Sequence, residues 1–177
     1  EACIATYPGD MAVAMTALDA QVEIENVDGE IRQVSVQDFH RLPGDNPERD
    51  NILEAGDLIP AVVLPGPPEG KQIYRKIRDR ASYAFALCSV AAVVKLQGEA
   101  IDSVALAFGG LAHKPWRDEA VEALLIGKKP SVELFGRAAD QLLAEAEGYG
   151  SNDFKIPLTR RLLISVLQEA TVTGAAA

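Results

Sequence analysis

Residues 74–85 read Tyr-Arg-Lys-Ile-Arg-Asp-Arg-Ala-Ser-Tyr-Ala-Phe, a basic stretch in a chain whose formal net charge is −9. If this stretch is an extended strand, successive side chains point to opposite faces. Tyr74, Lys76, Arg78 and Arg80 then share one face. A row of cations suits an anionic group, such as a phosphate or a reduced, negatively charged ring. The alternative is a solvated edge strand whose charges discourage pairing with another sheet, and the pattern alone favours that alternative.

Length and composition limit the classes of protein to which this chain can belong. Its 177 residues, of which 48% are hydrophobic and 24% charged, suit one globular domain or two small ones. The acidic balance argues against nucleic acid as a main partner, because phosphates attract positive charge. No apolar run approaches the about 20 residues that span a bilayer. Cys3 and Cys88 are too few and too far apart for a metal motif, and Cys88 is predicted to be a buried apolar residue.

The chain begins with a predicted helix. Asp10 opens a helical pattern in which Met11, Met15 and Leu18 lie on one face. On the sequence alone, the Asp10 carboxylate is predicted to cap the first turn of this helix.

Residues 20–36 predict a hairpin with Asp28-Gly29 at its turn, because glycine tolerates a positive φ. A shift in the alternation between Ile31 and Val34 predicts a bulge in the returning strand. A polar loop at 40–51 and a short apolar strand at 58–64 follow.

A Pro- and Gly-rich stretch at 65–70 predicts a domain boundary. Beyond it, apolar runs at 82–96 and 101–110, joined by a turn at Gly98, predict an antiparallel pair of strands. His113 is predicted to be structural, because no second metal ligand lies near it in the sequence. Trp116 is predicted to pack onto the sheet.

Three helices are predicted in the last third of the chain. Asp118 caps the first, Ser131 caps the second, Gly148 stops the second, and the third runs from about Pro157. A small antiparallel sheet with helices packed on one face is an α+β arrangement.

Four ordered blocks of sequence resemble a known family. They are Tyr-Pro-Gly-Asp-Met-Ala-Val-Ala-Met at 7–15, Phe-His-Arg-Leu-Pro-Gly-Asp-Asn-Pro at 39–47, Arg-Asp-Arg-Ala-Ser-Tyr-Ala-Phe-Ala at 78–86 and Phe-Gly-Gly-Leu-Ala-His-Lys-Pro-Trp-Arg at 108–117. In this order and spacing they resemble the FAD-binding subunit of the molybdenum hydroxylases, the xanthine dehydrogenase and carbon monoxide dehydrogenase family. The likeness is strongest to bacterial aldehyde oxidoreductases with a separate flavin subunit, and it runs from about Cys3 to Ala170.

The resemblance implies a domain organisation. Residues 1–66 are expected to be the end of a PCMH-type FAD-binding domain, 71–172 a CO dehydrogenase flavoprotein C-terminal-like domain, and 173–177 a tail. The family places a glycine-rich pyrophosphate loop, and in the aldehyde oxidoreductase branch a cysteine-rich iron–sulfur insert, before the Pro-Gly-Asp block. This sequence contains neither, so the chain is predicted to be the C-terminal part of a longer subunit.

The resemblance also implies a function. Electrons from a molybdenum cofactor in a large subunit pass through 2Fe-2S clusters of a small subunit to FAD, and then to an external acceptor. Lys76, Asp10 and Ile59 match flavin-site positions of the family, and Arg80 is a candidate for contacting the flavin or docking the acceptor. The expected partners are the large and small subunits and the missing N-terminal half of the same subunit. The alternative is a docking or scaffold fragment that binds no FAD alone.

Location is not recorded in any residue of the sequence. The resemblance suggests the periplasm, and the cytoplasm remains open.

Overall fold

The computed structural model describes residues 3–172, which form five helices and six strands in two three-stranded antiparallel sheets. In chain order they are α1 (Asp10–Ala17), β1 (Gln21–Glu25), β2 (Ile31–Ser35), α2 (Val36–Phe39), β3 (Leu58–Val63), β4 (Lys71–Ile77), β5 (Cys88–Gln97), β6 (Ala100–Gly109), α3 (Glu119–Leu125), α4 (Val132–Leu142) and α5 (Lys155–Thr171). The predicted tail at 173–177 lies outside the described residues.

The first sheet has the order β2-β1-β3 and contains the predicted hairpin. Gly29 adopts the expected positive φ of 79° in the turn. The predicted bulge between Ile31 and Val34 is wrong, since β1 and β2 pair without interruption. Ile31 is 60% exposed, so the strand needs no extra residue to bring it to the buried face. Strand β2 ends at Ser35, because this residue caps α2. Its hydroxyl accepts a hydrogen bond of 3.0 Å from Asp38 N.

The second sheet has the order β4-β5-β6 and confirms the predicted antiparallel pair. β5 begins at Cys88 rather than at residue 82, because residues 78–87 leave the sheet as a loop closed by a backbone hydrogen bond from Leu87 N to Ile77 O. The basic stretch is therefore extended only as far as Ile77. Arg78 and Arg80 lie beyond the strand, and the predicted row of cations on one face is reduced to Lys76 beside Tyr74.

Helices α3, α4 and α5 cover one face of the second sheet. Asp118 and Ser131 cap α3 and α4 as predicted, accepting from Ala120 N and Leu134 N. α4 ends at Leu142, before the predicted stop at Gly148. The main core lies between these helices and the sheet, and its fully buried members with the largest side chains include Phe108, Phe135, Leu106, Leu125, Leu163 and Leu167.

Helix α1 covers the opposite face of the same sheet. Val13 and Ala17 pack against Ala91 of β5 and Ala107 of β6. The predicted apolar face is wrong at Met11, which is 72% exposed, whereas Met15 packs against the core of the first sheet. Small side chains decide which face is buried, since they allow the helix backbone to approach the sheet closely.

The two sheets share no strand within residues 3–172. The predicted boundary lies in the connection at 64–70, between β3 and β4. α1 precedes that boundary in sequence yet packs on the second sheet, so the boundary remains a prediction. Among the residues described, no helix has both the length and the apolar character needed to cross a bilayer.

Candidate functional site

One carboxylate joins α1 to β4. Alternation along β4 puts Tyr74 and Lys76 on the same face of the strand, and α1 places Asp10 against them. Lys76 Nζ donates to Asp10 Oδ2 at 2.6 Å, and the Tyr74 hydroxyl donates to Asp10 Oδ1 at 2.8 Å. The two carboxylate oxygens therefore each accept one hydrogen bond from β4.

Asp10 does not cap its helix. Gly9 is the N-cap residue, Asp10 is the first helical residue, and no side-chain capping bond is present at this end of α1. Of the two predicted roles, the cap is wrong, because the carboxylate is committed to Tyr74 and Lys76. Its place in the first turn still suits a negative charge, which the partial positive charge of a helix N-terminus attracts.

Asp10, Lys76 and Tyr74 form a charged cluster in which the three groups stabilise one another. Burial would raise the pKa of Asp10, but hydrogen bonds from Lys76 and Tyr74 and the positive charges of Lys76 and Arg78 outweigh it, so the pKa of this carboxyl is lowered. Burial raises the pKa of Tyr74 to about 12, with a further contribution from Asp10. Asp10 is thus a carboxylate, and Tyr74 a hydrogen-bond donor, across the neutral pH range.

A buried hydroxyl lies beside this cluster. Ser89 on β5 pairs in register with Lys76, and its Oγ has no hydrogen-bond partner among residues 3–172. The Ser89 hydroxyl dipole lies close enough to Tyr74 to oppose the rise in the tyrosine pKa, although no hydrogen bond joins the two side chains. A Cβ on Gly109 would lie 2.5 Å from Ser89 Oγ and 2.8 Å from Val13 Cγ2. Glycine therefore allows β6, β5 and α1 to meet here.

The other two predicted site residues lie elsewhere. Arg80 Nη2 donates to the carbonyl of Tyr83 inside the loop that follows β4, and that tyrosine is 95% exposed with a φ of 52°. Ile59 lies on β3 in the first sheet and is 45% exposed, so it is not a core residue of the described chain. The structure brings Asp10 and Lys76 together and leaves the roles of all four residues as predictions.

Two side-chain contacts of β4 were not predicted from the sequence. The alternation places Tyr74 on the cationic face but does not indicate its hydrogen bond to Asp10, which depends on the packing of α1. The opposite face of β4 is also occupied, because Arg75 forms an ion pair with Glu169 of α5. Two sequence signals separate Lys76 from Arg75, namely the alternation along the strand and the family resemblance.

The described residues fit part of an FAD molecule. Lys76 uses one of its three N–H groups on Asp10 and is 18% exposed, so it can also donate to an oxygen or nitrogen of a flavin ring. The same site does not suit the pyrophosphate, because the Asp10 carboxylate at the start of α1 would repel it. Within residues 3–172 no group of three or more acidic, His or Cys side chains is arranged to hold a metal ion.

A cleft of about 440 Å³ lies elsewhere, between the N-terminal segment and the connection from α4 to α5. Its lining includes Trp116, Leu142 and Tyr149 but none of Asp10, Tyr74 and Lys76. Trp116 lines this cleft and is 37% exposed. Because it lacks the charged cluster, we do not assign the flavin to this cleft.

Comparisons with known proteins cover most of the chain. A family model described as the CO dehydrogenase flavoprotein C-terminal domain matches residues 72–170, and one described as the FAD binding domain in molybdopterin dehydrogenase matches residues 1–67. The chain is 50% identical over 170 residues to the aldehyde oxidoreductase FAD-binding subunit PaoB of Escherichia coli (strain K12), which covers 96% of this chain and 50% of that protein. It is 30% identical over 164 residues to the glyceraldehyde dehydrogenase medium chain of Sulfolobus acidocaldarius, with coverage of 90% and 56%. The chain thus spans about half the length of these curated relatives.

Solved structures confirm the α+β fold. Quinoline 2-oxidoreductase from Pseudomonas putida 86 superposes with a TM-score of 0.81 at 23% identity, over 94% of this chain and 57% of that one. Carbon monoxide dehydrogenase from Hydrogenophaga pseudoflava superposes with a TM-score of 0.82 at 22% identity, over 95% and 58%. At these identities the likeness establishes the fold alone.

Proposed function

Because this chain belongs to the family of FAD-binding domains of molybdopterin dehydrogenases, we propose that it forms part of the flavin-carrying subunit of a molybdenum-containing aldehyde oxidoreductase. The family is the one that the four sequence blocks predicted. The proposed subunit accepts electrons from iron–sulfur clusters and delivers them to an external acceptor. The aldehyde substrate is proposed from the 50% identity to a subunit named for aldehyde oxidation.

The pairing of Lys76 with Asp10 carries the proposal. FAD, when bound, supplies the electron-transfer chemistry, and the protein positions it and tunes its electronics. Lys76 provides a cation on a rigid strand, and a nearby positive charge favours the negatively charged form of a neighbouring group. Asp10 holds the ammonium in one place and orients its remaining N–H groups. The Tyr74 hydroxyl fixes the carboxylate in turn.

The partners follow from the same proposal. They are a large molybdenum-cofactor subunit, a small 2Fe-2S subunit and the remaining part of the flavin subunit. The exposed strand β3 supports the last of these, because its apolar side chains Leu58, Ile59 and Val62 are 66%, 45% and 41% exposed. Such a surface at a sheet edge suits contact with further protein. The periplasmic location suggested by the family resemblance remains a prediction.

An anaerobic experiment on the full complex tests the function. We expect the purified complex to release FAD on denaturation, and its visible flavin absorbance to bleach when an aldehyde is added without oxygen. The matched control is the complex assembled without the flavin subunit, which should oxidise the aldehyde at the molybdenum centre without flavin bleaching. Absence of FAD from the full complex would contradict the proposal.

A second candidate applies to the 177-residue chain on its own. The Asp10 carboxylate at the start of α1 disfavours phosphate binding, so the isolated chain would act as a scaffold with little affinity for FAD. Titration calorimetry of the isolated chain should show weak binding, because only ring and ribityl contacts are available. Sub-micromolar affinity would instead place the whole FAD site within these residues.

A further inference from the structure

The segment 113–117 connects the second sheet to the N-terminal part of the chain. Trp116 pairs with Phe108 of β6 through two backbone hydrogen bonds of 2.8 and 2.9 Å. From this fixed point, His113 Nε2 lies 2.7 Å from the carbonyl of Cys3, and Lys114 Nζ donates to the carbonyl of Gln37 at 2.9 Å. These contacts span 110 and 77 positions of sequence.

Arg117 makes the most extensive of these connections. Its Nε and Nη2 form a two-pronged pair with Glu122 at 2.8 and 3.1 Å, and both side chains are nearly buried, at 9% and 8% exposure. Glu122 Oε1 also accepts from Leu106 N of β6 at 2.8 Å. The guanidinium is thereby held at a fixed position on the second sheet, because a buried forked pair leaves it little freedom.

The remaining nitrogen of Arg117 binds the end of α1. Nη1 donates to the carbonyl of Thr16 at 3.2 Å and to the carboxylate of Asp19. A cation at a helix C-terminus interacts favourably with the unpaired carbonyls there. Asp19 has a φ of 55°, in the left-handed region that non-glycine residues rarely adopt. Such a conformation persists where the surrounding structure holds it, and Arg117 provides that contact.

Helix α1 extends from its contact with Arg117 to the candidate site. Its eight residues span about 12 Å at the usual rise per residue. Arg117 holds one end, Val13 and Ala17 pack along the sheet, and Asp10 stands at the other end against Lys76. We propose that Arg117 is a positioning residue, which docks α1 so that Asp10 fixes the Lys76 ammonium. The proposal rests on the flavin site proposed above.

The test uses the complete flavin subunit in its complex. In Arg117→Met, amide hydrogen exchange of residues 13–17 should speed up by about tenfold or more, and the flavin midpoint potential should shift in the same direction as in Asp10→Asn. In the double variant Arg117→Met, Asp10→Asn, the potential should equal that of Asp10→Asn alone. This non-additivity is expected because residues that act through one another show coupling. A merely structural role would lower the melting temperature without this coupling.

A second variant guards against loss of folding, since Arg117→Met leaves Glu122 buried without a partner. Asp19→Gly removes the carboxylate that Arg117 binds, and glycine accepts the positive φ. It should reproduce the faster exchange and the shift in potential in smaller measure. Lys129→Met is the matched control, because its ion pair with Glu99 is exposed and lies away from α1; neither readout should change.

The outcomes separate the two proposals. Additive shifts in potential, or exchange of residues 13–17 that Asp19→Gly leaves unchanged, would overturn the positioning role. Absence of FAD from the wild-type complex would overturn the proposed function, while the exchange measurement would still report whether Arg117 docks α1.

Discussion

Lys76 Nζ and Asp10 Oδ2 lie 2.6 Å apart, although 66 positions separate the two residues. The Lys76 side chain is 18% exposed and the Asp10 side chain 46% exposed, so Lys76 is the more enclosed partner. Asp10 precedes the predicted domain boundary and Lys76 follows it. The position of the candidate flavin-site cation is therefore set jointly by both parts of the chain.

Replacing Lys76 with Ala in the complete complex should lower the flavin midpoint potential by a few tens of millivolts or more. A charge-assisted hydrogen bond contributes about 1.5–3 kcal/mol, and for one electron about 60 mV corresponds to a tenfold change in equilibrium. The loss also leaves Asp10 as an unpaired negative charge at the site, which disfavours added electrons. Lys76→Arg should restore part of the charge but not the geometry. A redox titration with a parallel thermal melt measures both effects.

Arg75→Ala is the matched control for Lys76. It removes the same charge from the same strand, but on the face that pairs with Glu169 of α5. We expect a small loss of stability and an unchanged flavin potential. A Lys76→Ala variant with unchanged potential and a lowered melting temperature would show that Lys76 is a structural strand residue.

Tyr74→Phe should make the chain less sensitive to alkaline pH. The pKa of Tyr74 is raised to about 12, whereas an unfolded tyrosine has a pKa of about 10. Between these values the folded state retains a proton that the unfolded state has lost, so the free energy of unfolding falls as pH rises. Urea unfolding of both proteins at several alkaline pH values should show a shallower decline for Tyr74→Phe. Parallel declines would show that Tyr74 does not contribute to the loss.

Gly109→Ala should loosen the docking of α1. The added Cβ would lie 2.5 Å from Ser89 Oγ and 2.8 Å from Val13 Cγ2, and overpacking of this kind costs about 1–3 kcal/mol. We expect a lower melting temperature and faster amide exchange in α1. Gly66→Ala is the control, because nothing lies within 4 Å of its added Cβ. Equal melting temperatures for the two variants would mean that the contact relaxes without cost.

Residues 71–172 should fold without the rest of the chain. The main core draws its buried members from β5, β6 and the three C-terminal helices, and about 100 residues is an ordinary domain size. Removing α1 uncovers the small residues Ala91 and Ala107 and takes away the hydrogen bonds to Tyr74, Lys76 and Arg117. A fragment of 71–172 should melt cooperatively, at a lower temperature than 1–172. Collapsed amide dispersion in the shorter fragment would show that α1 is required for the fold.

Much of the fold could be predicted because it depends on local signals. The turns at Gly29 and Gly98, the caps Asp118 and Ser131, and the buried runs of β5 and β6 depend on neighbouring residues. The apolar face of α1 was mispredicted because burial of Val13 and Ala17 depends on a sheet far away in sequence. Hydrophobicity favoured Met11, whereas close packing selected the smaller residues.

The site was predictable only in part for the same reason. The family resemblance named Asp10 and Lys76 separately, and neither the spacing nor the residue types indicated that they form an ion pair. The contact with Tyr74 and the connection through Arg117 arise from tertiary packing. Ile59 shows the limit of periodicity, since an apolar strand pattern does not distinguish a core strand from an exposed edge.

The docking of α1 has a consequence for synthesis on the ribosome. Asp19 and Arg117 are 98 positions apart, and translation proceeds at about 5–20 residues per second. Helix α1 therefore emerges about 5–20 s before Arg117, which binds its C-terminal end. It also emerges before β5 and β6, which bury Val13 and Ala17. An eight-residue helix is too short to persist alone in water. The site that joins Asp10 to Lys76 is thus completed only after strands β5 and β6 and Arg117 have been synthesised.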